Sequence, residues 1–282
     1  MVIFHLLITM NMPTNTVIRI LKKLIMDNKL FWTLRPNGEE VLRDLSKENK
    51  KFSREAYLKG EFDIYNAQWC EMFHHYIFDD NGCDYERLGC YIKEGDIVLD
   101  LGGNIGLFAH RAEIRGASKV ISFEPVTPTF NCLIKNKGPK TLVYKNAVGS
   151  KSGFTTFNIH TDYTHIGGGT SHEQDLLLNS RNIIHSERVI IIGINEIFQG
   201  IGEKIDFMKI DIEGGEVDVL MSITDENLSS LRCLAAEFHC TYDGFDLFQS
   251  NFGNRMNSLG FNGFTVYHGD GNLRTLTFWK ES

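Results

Sequence analysis

The chain has 282 residues, enough for one large domain or for one domain with an appendage. Hydrophobic residues make up 42% of it and aromatic residues 11%, which suits a packed core and excludes a disordered chain. The net charge of −7 leaves no basic footprint for nucleic acid or an anionic membrane surface, so neither partner is expected.

Met1 to Ile8 is apolar, but it falls far short of the ~20 residues that span a bilayer and lacks a basic leader. Met10 and Met12 are alternative start sites. The six cysteines (Cys70, Cys83, Cys90, Cys132, Cys233 and Cys240) form no Cys-x-x-Cys pair and no zinc spacing. They read as the reduced thiols of a cytoplasmic protein. No metal is predicted, although Asp211, Glu237 and Glu213 could in principle supply hard oxygen ligands. Residues 14–30 carry helical spacing, Pro36-Asn37-Gly38 is a turn, and residues 39–59 predict a charged helix. Residues 62–79 are rich in aromatic side chains, and a short helix is predicted over 84–93. These segments suggest a helical N-terminal extension, residues 1–90, packed on a main domain of residues 91–282.

From Gly95 onward the pattern alternates. Strands are predicted at 97–101, 119–123, 141–145, 205–210 and 232–238, with helices at 105–115, 127–136, 215–222 and 246–259. Two last strands, 263–267 and 274–279, flank Gly269-Asp270-Gly271. That order implies an α/β fold: a mostly parallel sheet with helices on both faces, closed by an antiparallel strand. Between 153 and 194 the rhythm breaks. Phe154 to Ile159 and Arg188 to Ile194 read as strands around Gly167-Gly168-Gly169, an insertion expected near the site.

The most informative stretch is Ile97-Val98-Leu99-Asp100-Leu101-Gly102-Gly103-Asn104-Ile105-Gly106. A strand runs into an acid, then a glycine turn, then a helix, which is the opening of a nucleotide site. Counting back from Gly106 and Gly103, a dinucleotide fingerprint would need glycine at 101, where Leu101 stands. The carboxylate of Asp100 suits a ligand with a cationic amino-acid end and repels a pyrophosphate. S-adenosylmethionine is such a ligand, with an amino group, a sulfonium and no phosphate. Glu124, just after the second strand, is placed to accept both ribose hydroxyls of an adenosine. A plain tight turn with no ligand is the alternative.

The order DLGGNIG, FEP, NAVG, KIDIEGGE and EFH resembles the FkbM family of class I S-adenosylmethionine-dependent methyltransferases, from about Gly95 to Cys240. The resemblance implies a Rossmann-like, seven-stranded sheet with the cofactor across the carboxyl ends of its first strands. It also implies O-methylation of hydroxyls on sugars or polyketide-type metabolites, hence a small-molecule or glycan acceptor. One departure is Ile194-Asn195, where the family often has Leu-Asp.

Under that resemblance Asp100 would meet the cofactor's amino group, directly or through water. Gly102, Gly103 and Gly106 would let the backbone approach it. Asn104 would either join them or simply cap the helix. Asn146 and Ala147 follow the third strand, where class I enzymes contact adenine, although a turn-forming Asn reads the same way. Asp211 would face the transferring methyl as base or substrate holder, with Glu213 beside it. Glu216 would only complement a helix dipole. Alternation puts Glu237 and His239 on one face, where the carboxylate could orient the imidazole as a base. His165 and His172 flank the insertion as a lid or as solvated loop residues. Base methylation would call for Asn/Asp-Pro-Pro-aromatic where Asp211-Ile212-Glu213-Gly214 stands, or for a Pro-Cys pair, and neither is present. Methylation of nucleic acid or protein, or an inactive cofactor-binding scaffold, is the alternative.

Overall fold

Alternation along the strands decides which residues of this protein meet. The computed structural model describes residues 30–34, 40–44, 83–160, 169–170, 183–238, 245–268 and 273–281. The main sheet contains β3 (Ile97–Leu101), β4 (Lys119–Phe123), β5 (Thr141–Tyr144), β10 (Phe207–Ile210), β11 (Cys233–Phe238), β12 (Asn262–His268) and β13 (Leu273–Trp279). Its order is β12-β13-β11-β10-β3-β4-β5. The strands from β5 to β11 run parallel, and β13 is antiparallel to both of its neighbours. This is the expected sheet, and strand ends agree with expectation to within two residues.

Lys209 pairs with both Asp100 and Ala235, and Asp100 pairs with Ser122. These positions, with Val98, Phe207 and Cys233, therefore point to one face. There they pack with Phe108, Ala109 and Ala112 of α1 (Leu107–Ile114) and with Tyr85. The opposite face carries Leu99, Leu101, Met208, Ile210, Leu234 and Ala236 in the larger core. That core is closed by α3 (Ile194–Ile201), α4 (Glu216–Ser222), α5 (Asp225–Ser230) and α6 (Phe245–Ser258). Phe207 and Phe252 are at most 1% exposed. Each such ring contributes about 1.5–3 kcal/mol by leaving water.

Two expected helices differ. Residues 84–93 form turns with an isolated bridge between Arg87 and Cys90. Leu88 and Gly89 have φ of 52° and 140°, which no helix admits, and a Cβ on Gly89 would collide with the Trp279 ring. Within 39–59, the described residues form strand β2 (Glu40–Asp44), antiparallel to β1 (Leu30–Leu34). Asn37-Gly38 between two β-competent runs was the hairpin signal. The rest of residues 14–29 and 45–82 lies outside the described residues. Two helices, α3 and α5, were not anticipated. Thr224 caps α5 by accepting from Asn227 N–H at 3.2 Å.

The 153–194 section, together with β6 (Ala147–Gly149) just before it, builds a second sheet with β7 (Gly153–His160), β8 (Gly169–Thr170) and β9 (Ile183–Gly193), in the order β6-β9-β7-β8. The β1–β2 hairpin docks on α2 (Thr127–Asn136) through buried Asn136, which replaces a strand partner. Its Oδ1 accepts from Trp32 N–H at 2.6 Å, and its Nδ2 donates to the carbonyls of Trp32 and Ile105 at 2.8 and 2.7 Å.

Candidate active site

Strand order reverses at β3. The chain first runs β3-β4-β5 to one side, then returns to place β10 and β11 on the other. In an open α/β sheet the crevice at such a reversal, outside the carboxyl ends, is where ligands bind. The elements that end there carry Asp100, the 102–106 turn, Glu124, Asp211 and Glu237.

Lys209 lies at the centre, 3% exposed. Its Nζ donates to the Gly102 carbonyl at 2.6 Å and stands 3.5 Å from Asp100 Oδ1 and 3.3 Å from Asp211 Oδ2. Burial pulls the lysine pKa down, but Asp211, Asp100 and Glu237 outweigh it and raise it above its usual value. The ammonium is thus a fixed charge beneath the turn. Asp100 is fully buried and accepts from Ser122 Oγ at 2.8 Å. Burial raises its pKa, against the pull of Lys209 and Ser122. Asp100 thus sits under the glycine turn, closed off from solvent.

Tyr85 completes the centre from 126 residues away. Its hydroxyl is 2.9 Å from Asp211 Oδ2 and 2.8 Å from Glu237 Oε2. Phe108 meets its ring edge-on at 5.5 Å, and Lys209 Nζ is 5.3 Å from the ring centre.

The glycines are required by the protein's own packing. Gly102 has φ +84°, and a Cβ there would overlap the Asp211 carbonyl oxygen. A Cβ on Gly103 would overlap Ser122 Oγ, and one on Gly106 would stand 2.9 Å from Leu133 Cδ1. Asn104 is not the helix cap. It adopts a left-handed φ of 51°, and Gly106 occupies the cap position of α1. Glu124 Oε2 accepts from Asn104 N–H at 2.8 Å, and its Oε1 accepts from Val126 N–H and Thr129 Oγ1 at 2.9 and 2.7 Å. Burial raises the Glu124 pKa against those three bonds.

Glu216 does more than complement a dipole. Buried to 3% exposure, it accepts from Ile212 N–H and Gly214 N–H, both at 3.1 Å, and so fastens the loop after β10. Glu213 in that loop is held at φ 60°, a strained value for a side-chain-bearing residue. The structure thus brings together Asp100, Asp211 and Glu237, with Gly102 against Asp211 and Asn104 against Glu124. Ala147 is buried instead in a small cluster with Val126, Phe157 and Val189, and Asn146 Nδ2 donates to the Ile190 carbonyl at 3.4 Å. His239, His165 and His172 lie outside the described residues. Sequence reading missed Tyr85, Lys209 and Ser122. A lysine inside the buried run Phe207-Met208-Lys209-Ile210 was a legible signal, because an unpaired charge there is untenable. Tyr85 gave none.

Four buried or half-buried carboxylates, Asp100, Glu124, Asp211 and Glu237, face one ammonium. Among the described residues no cluster of three or more His, Cys, Asp or Glu side chains is arranged to hold a metal ion. No helix among them is long and apolar enough to cross a membrane.

The sheet order, its single antiparallel strand and the acid-lined reversal point define the fold of a class I methyltransferase. Residues 100–265 match the methyltransferase FkbM domain, and the chain belongs to that family. It is 28% identical over 193 residues to the AMB antimetabolite synthetase AmbE of Pseudomonas aeruginosa, covering 57% of this chain but only 9% of that protein. It is 26% identical over 200 residues to the 31-O-demethyl-FK506 methyltransferase FkbM of Streptomyces tacrolimicus, covering 62% of this chain and 76% of the relative. It is 28% identical over 161 residues to the hexuronic acid methyltransferase AglP of Haloferax volcanii, covering 55% and 61%. Among solved structures, methyltransferase FkbM from Methylobacillus flagellatus aligns with TM-score 0.44 and 14% identity, covering 82% of this chain and 61% of that one.

Proposed function

We propose that this protein transfers a methyl group from S-adenosylmethionine to a hydroxyl of a sugar, glycan or related small metabolite. The carrying observation is the placement of Asp211 and Glu237 on one sheet face, joined through Tyr85 at the reversal point. The names of two relatives, a 31-O-demethyl-FK506 methyltransferase and a hexuronic acid methyltransferase, support an acceptor that is a hydroxylated metabolite or a sugar. The acidic balance of the chain supports an acceptor other than nucleic acid.

The residues present fit the cofactor, because the excess of carboxylate over ammonium matches a ligand with a sulfonium and an amino group. When bound, S-adenosylmethionine supplies a methyl carbon already activated by its sulfonium. Glu124 would hold the ribose hydroxyls, and the 102–106 turn the amino-acid end, over the buried Asp100–Lys209 pair. Asp211 and Glu237 would hold the acceptor hydroxyl in line and take its proton. Glu213, Asn146 and Ala147 would line the edges of the site. The reading extends to a cytoplasmic setting and to residues 1–90 as an appendage of the methyltransferase domain.

The experiment is to incubate the purified chain with methyl-labelled S-adenosylmethionine and fractionated extract of the source cell. Label in polysaccharide, glycolipid or small hydroxylated metabolites is the expected result. Label confined to nucleic acid or protein would overturn the acceptor class. No cofactor binding by calorimetry would overturn the cofactor.

A further inference from the structure

We propose that Cys90 and Cys233 form a redox-responsive dithiol, which a hydroperoxide converts into a disulfide that fastens the segment carrying Tyr85 to the strand carrying Glu237. The proposal goes beyond the methyl-transfer reading and does not rest on it, because the two thiols lie outside the cofactor edge.

The two cysteines are far apart in sequence and meet through the sheet. Cys233 opens β11, pairs with Phe207 and shares the face on which Tyr85, Cys90 and Ile92 pack. Each sulfur rests on backbone beside the other cysteine. Cys90 Sγ is 3.9 Å from the Leu234 carbonyl oxygen, and Cys233 Sγ is 3.9 and 4.0 Å from the carbonyl oxygens of Gly89 and Tyr91. Both thiols are free and hydrogen-bond to each other. Side-by-side thiols on adjacent segments are the arrangement a disulfide needs.

Apolar packing alone would bring two thiols together, but it would not place a cation on one of them. Arg232 Nη1 donates to Cys233 Sγ at 3.0 Å, and its Nη2 is anchored on Asp96 and on the Tyr91 carbonyl at 3.0 Å. A fixed guanidinium favours the thiolate. The hydrogen bond from Cys90, with the Arg232 charge, holds the Cys233 thiol below its usual pKa despite burial, whereas burial pushes the Cys90 thiol up. The two sulfurs are therefore unequal, Cys233 as the attacking thiolate and Cys90 as the resolving thiol. The Arg232 side chain is 15% exposed and Tyr91 is 40% exposed, so the pair lies one side chain beneath the surface. A water-sized oxidant such as hydrogen peroxide suits that depth.

The Cys233 thiolate attacks one peroxide oxygen, the O–O bond breaks, and the other oxygen leaves as hydroxide. Cys233 is now a sulfenic acid. The Cys90 sulfur bonds to the Cys233 sulfur as the S–O bond breaks, and the Cys90 proton leaves with that oxygen as water. Two electrons pass from the pair of sulfurs to the peroxide. A thiol reductant reverses the bond by exchange. Glu237 lies on the same strand as Cys233, and Tyr85 on the same segment as Cys90, so the disulfide holds Tyr85 seated against Glu237.

The reduced full chain is treated with a few equivalents of hydrogen peroxide, its remaining thiols are alkylated, and the digest is read by mass spectrometry without reduction. A peptide joining Cys90 to Cys233 is expected, lost on treatment with dithiothreitol. Tm of the oxidised chain should rise by about 5–10 °C, because the bond closes a long loop. Cys90→Ser should stop at a Cys233 sulfenic acid that dimedone traps, and Cys233→Ser should leave Cys90 unoxidised. Both cysteines remaining unlinked in the treated wild type, or joined to other cysteines instead, would overturn the proposal. Cys90 reacting as fast as Cys233 in the single variants would overturn the assignment of attacking and resolving thiols. A chain that forms the link but labels no acceptor would keep the dithiol and lose the methyl-transfer reading.

Discussion

Gly102 and Asp211 stand in direct backbone contact: a side chain on the glycine would overlap the carbonyl oxygen of the aspartate. Asp211 N–H in turn donates to the Leu101 carbonyl at 3.0 Å, so the ends of β3 and β10 are locked together where the site begins.

Gly102→Ala should therefore be severe. Its φ of +84° is unfavourable for alanine, and the obstacle is backbone, which cannot rotate aside. A loss of about 2–4 kcal/mol is expected in a denaturant titration. Cofactor affinity should fall with it. A near-neutral substitution would show that the two strand ends are not held this close.

Lys209→Met tests the buried charge. Removing the ammonium leaves Asp100 and Asp211 without their shared cation, at an expected cost of about 3–5 kcal/mol. Adding Asp100→Asn should recover part of that loss, because the carboxylate left stranded is then gone. The double-mutant cycle in urea should show clear coupling. Additive losses would mean that the two groups do not interact.

Glu216→Ala should impair turnover more than stability. It leaves two N–H groups of the loop after β10 without their acceptor, costing about 1–3 kcal/mol, and loosens the segment that carries Asp211 and Glu213. The check is kcat/KM against Tm in the same preparation. Equal activity with a lowered Tm would reduce Glu216 to a purely structural residue.

His110 predicts an acid weakness. Burial lowers its pKa from 6.5 to about 4, and Phe31 packs edge-on to it at 5.6 Å. Below pH 6.5 the unfolded chain binds a proton that the folded chain refuses, so stability falls as pH drops toward about 4. The full contribution is about 3 kcal/mol. His110→Phe should flatten that part of the pH–stability curve. An unchanged slope would mean that the histidine titrates normally.

The parallel strands and the main helices were legible because their periodicities are local: a mostly apolar five-residue run before a glycine turn, then apolar positions at helical spacing. The family was legible for the same reason, since its motifs are contiguous runs. The hairpin of β1 and β2 was misread because Lys and Glu in the same stretch favour a helix, while its pairing and its dock on Asn136 are tertiary. The 84–93 segment was misread because its conformation is imposed by Trp279 and by the inward packing of Tyr85, Cys90 and Ile92.

The sequence by itself determined the alternating strands and helices of the sheet and singled out Asp100, Glu124, Asp211 and Glu237, because each lies at or just beyond the end of a strand that local periodicity reveals. Only the tertiary structure decided what those acids touch. It buried Asp100 beneath the turn with Lys209 and made the glycines answer to neighbouring protein atoms. It also brought Tyr85 across 126 residues to join Asp211 and Glu237. Such contacts depend on which strands lie side by side and which face each residue takes. A linear pattern fixes the face within one strand, but only packing fixes the neighbour.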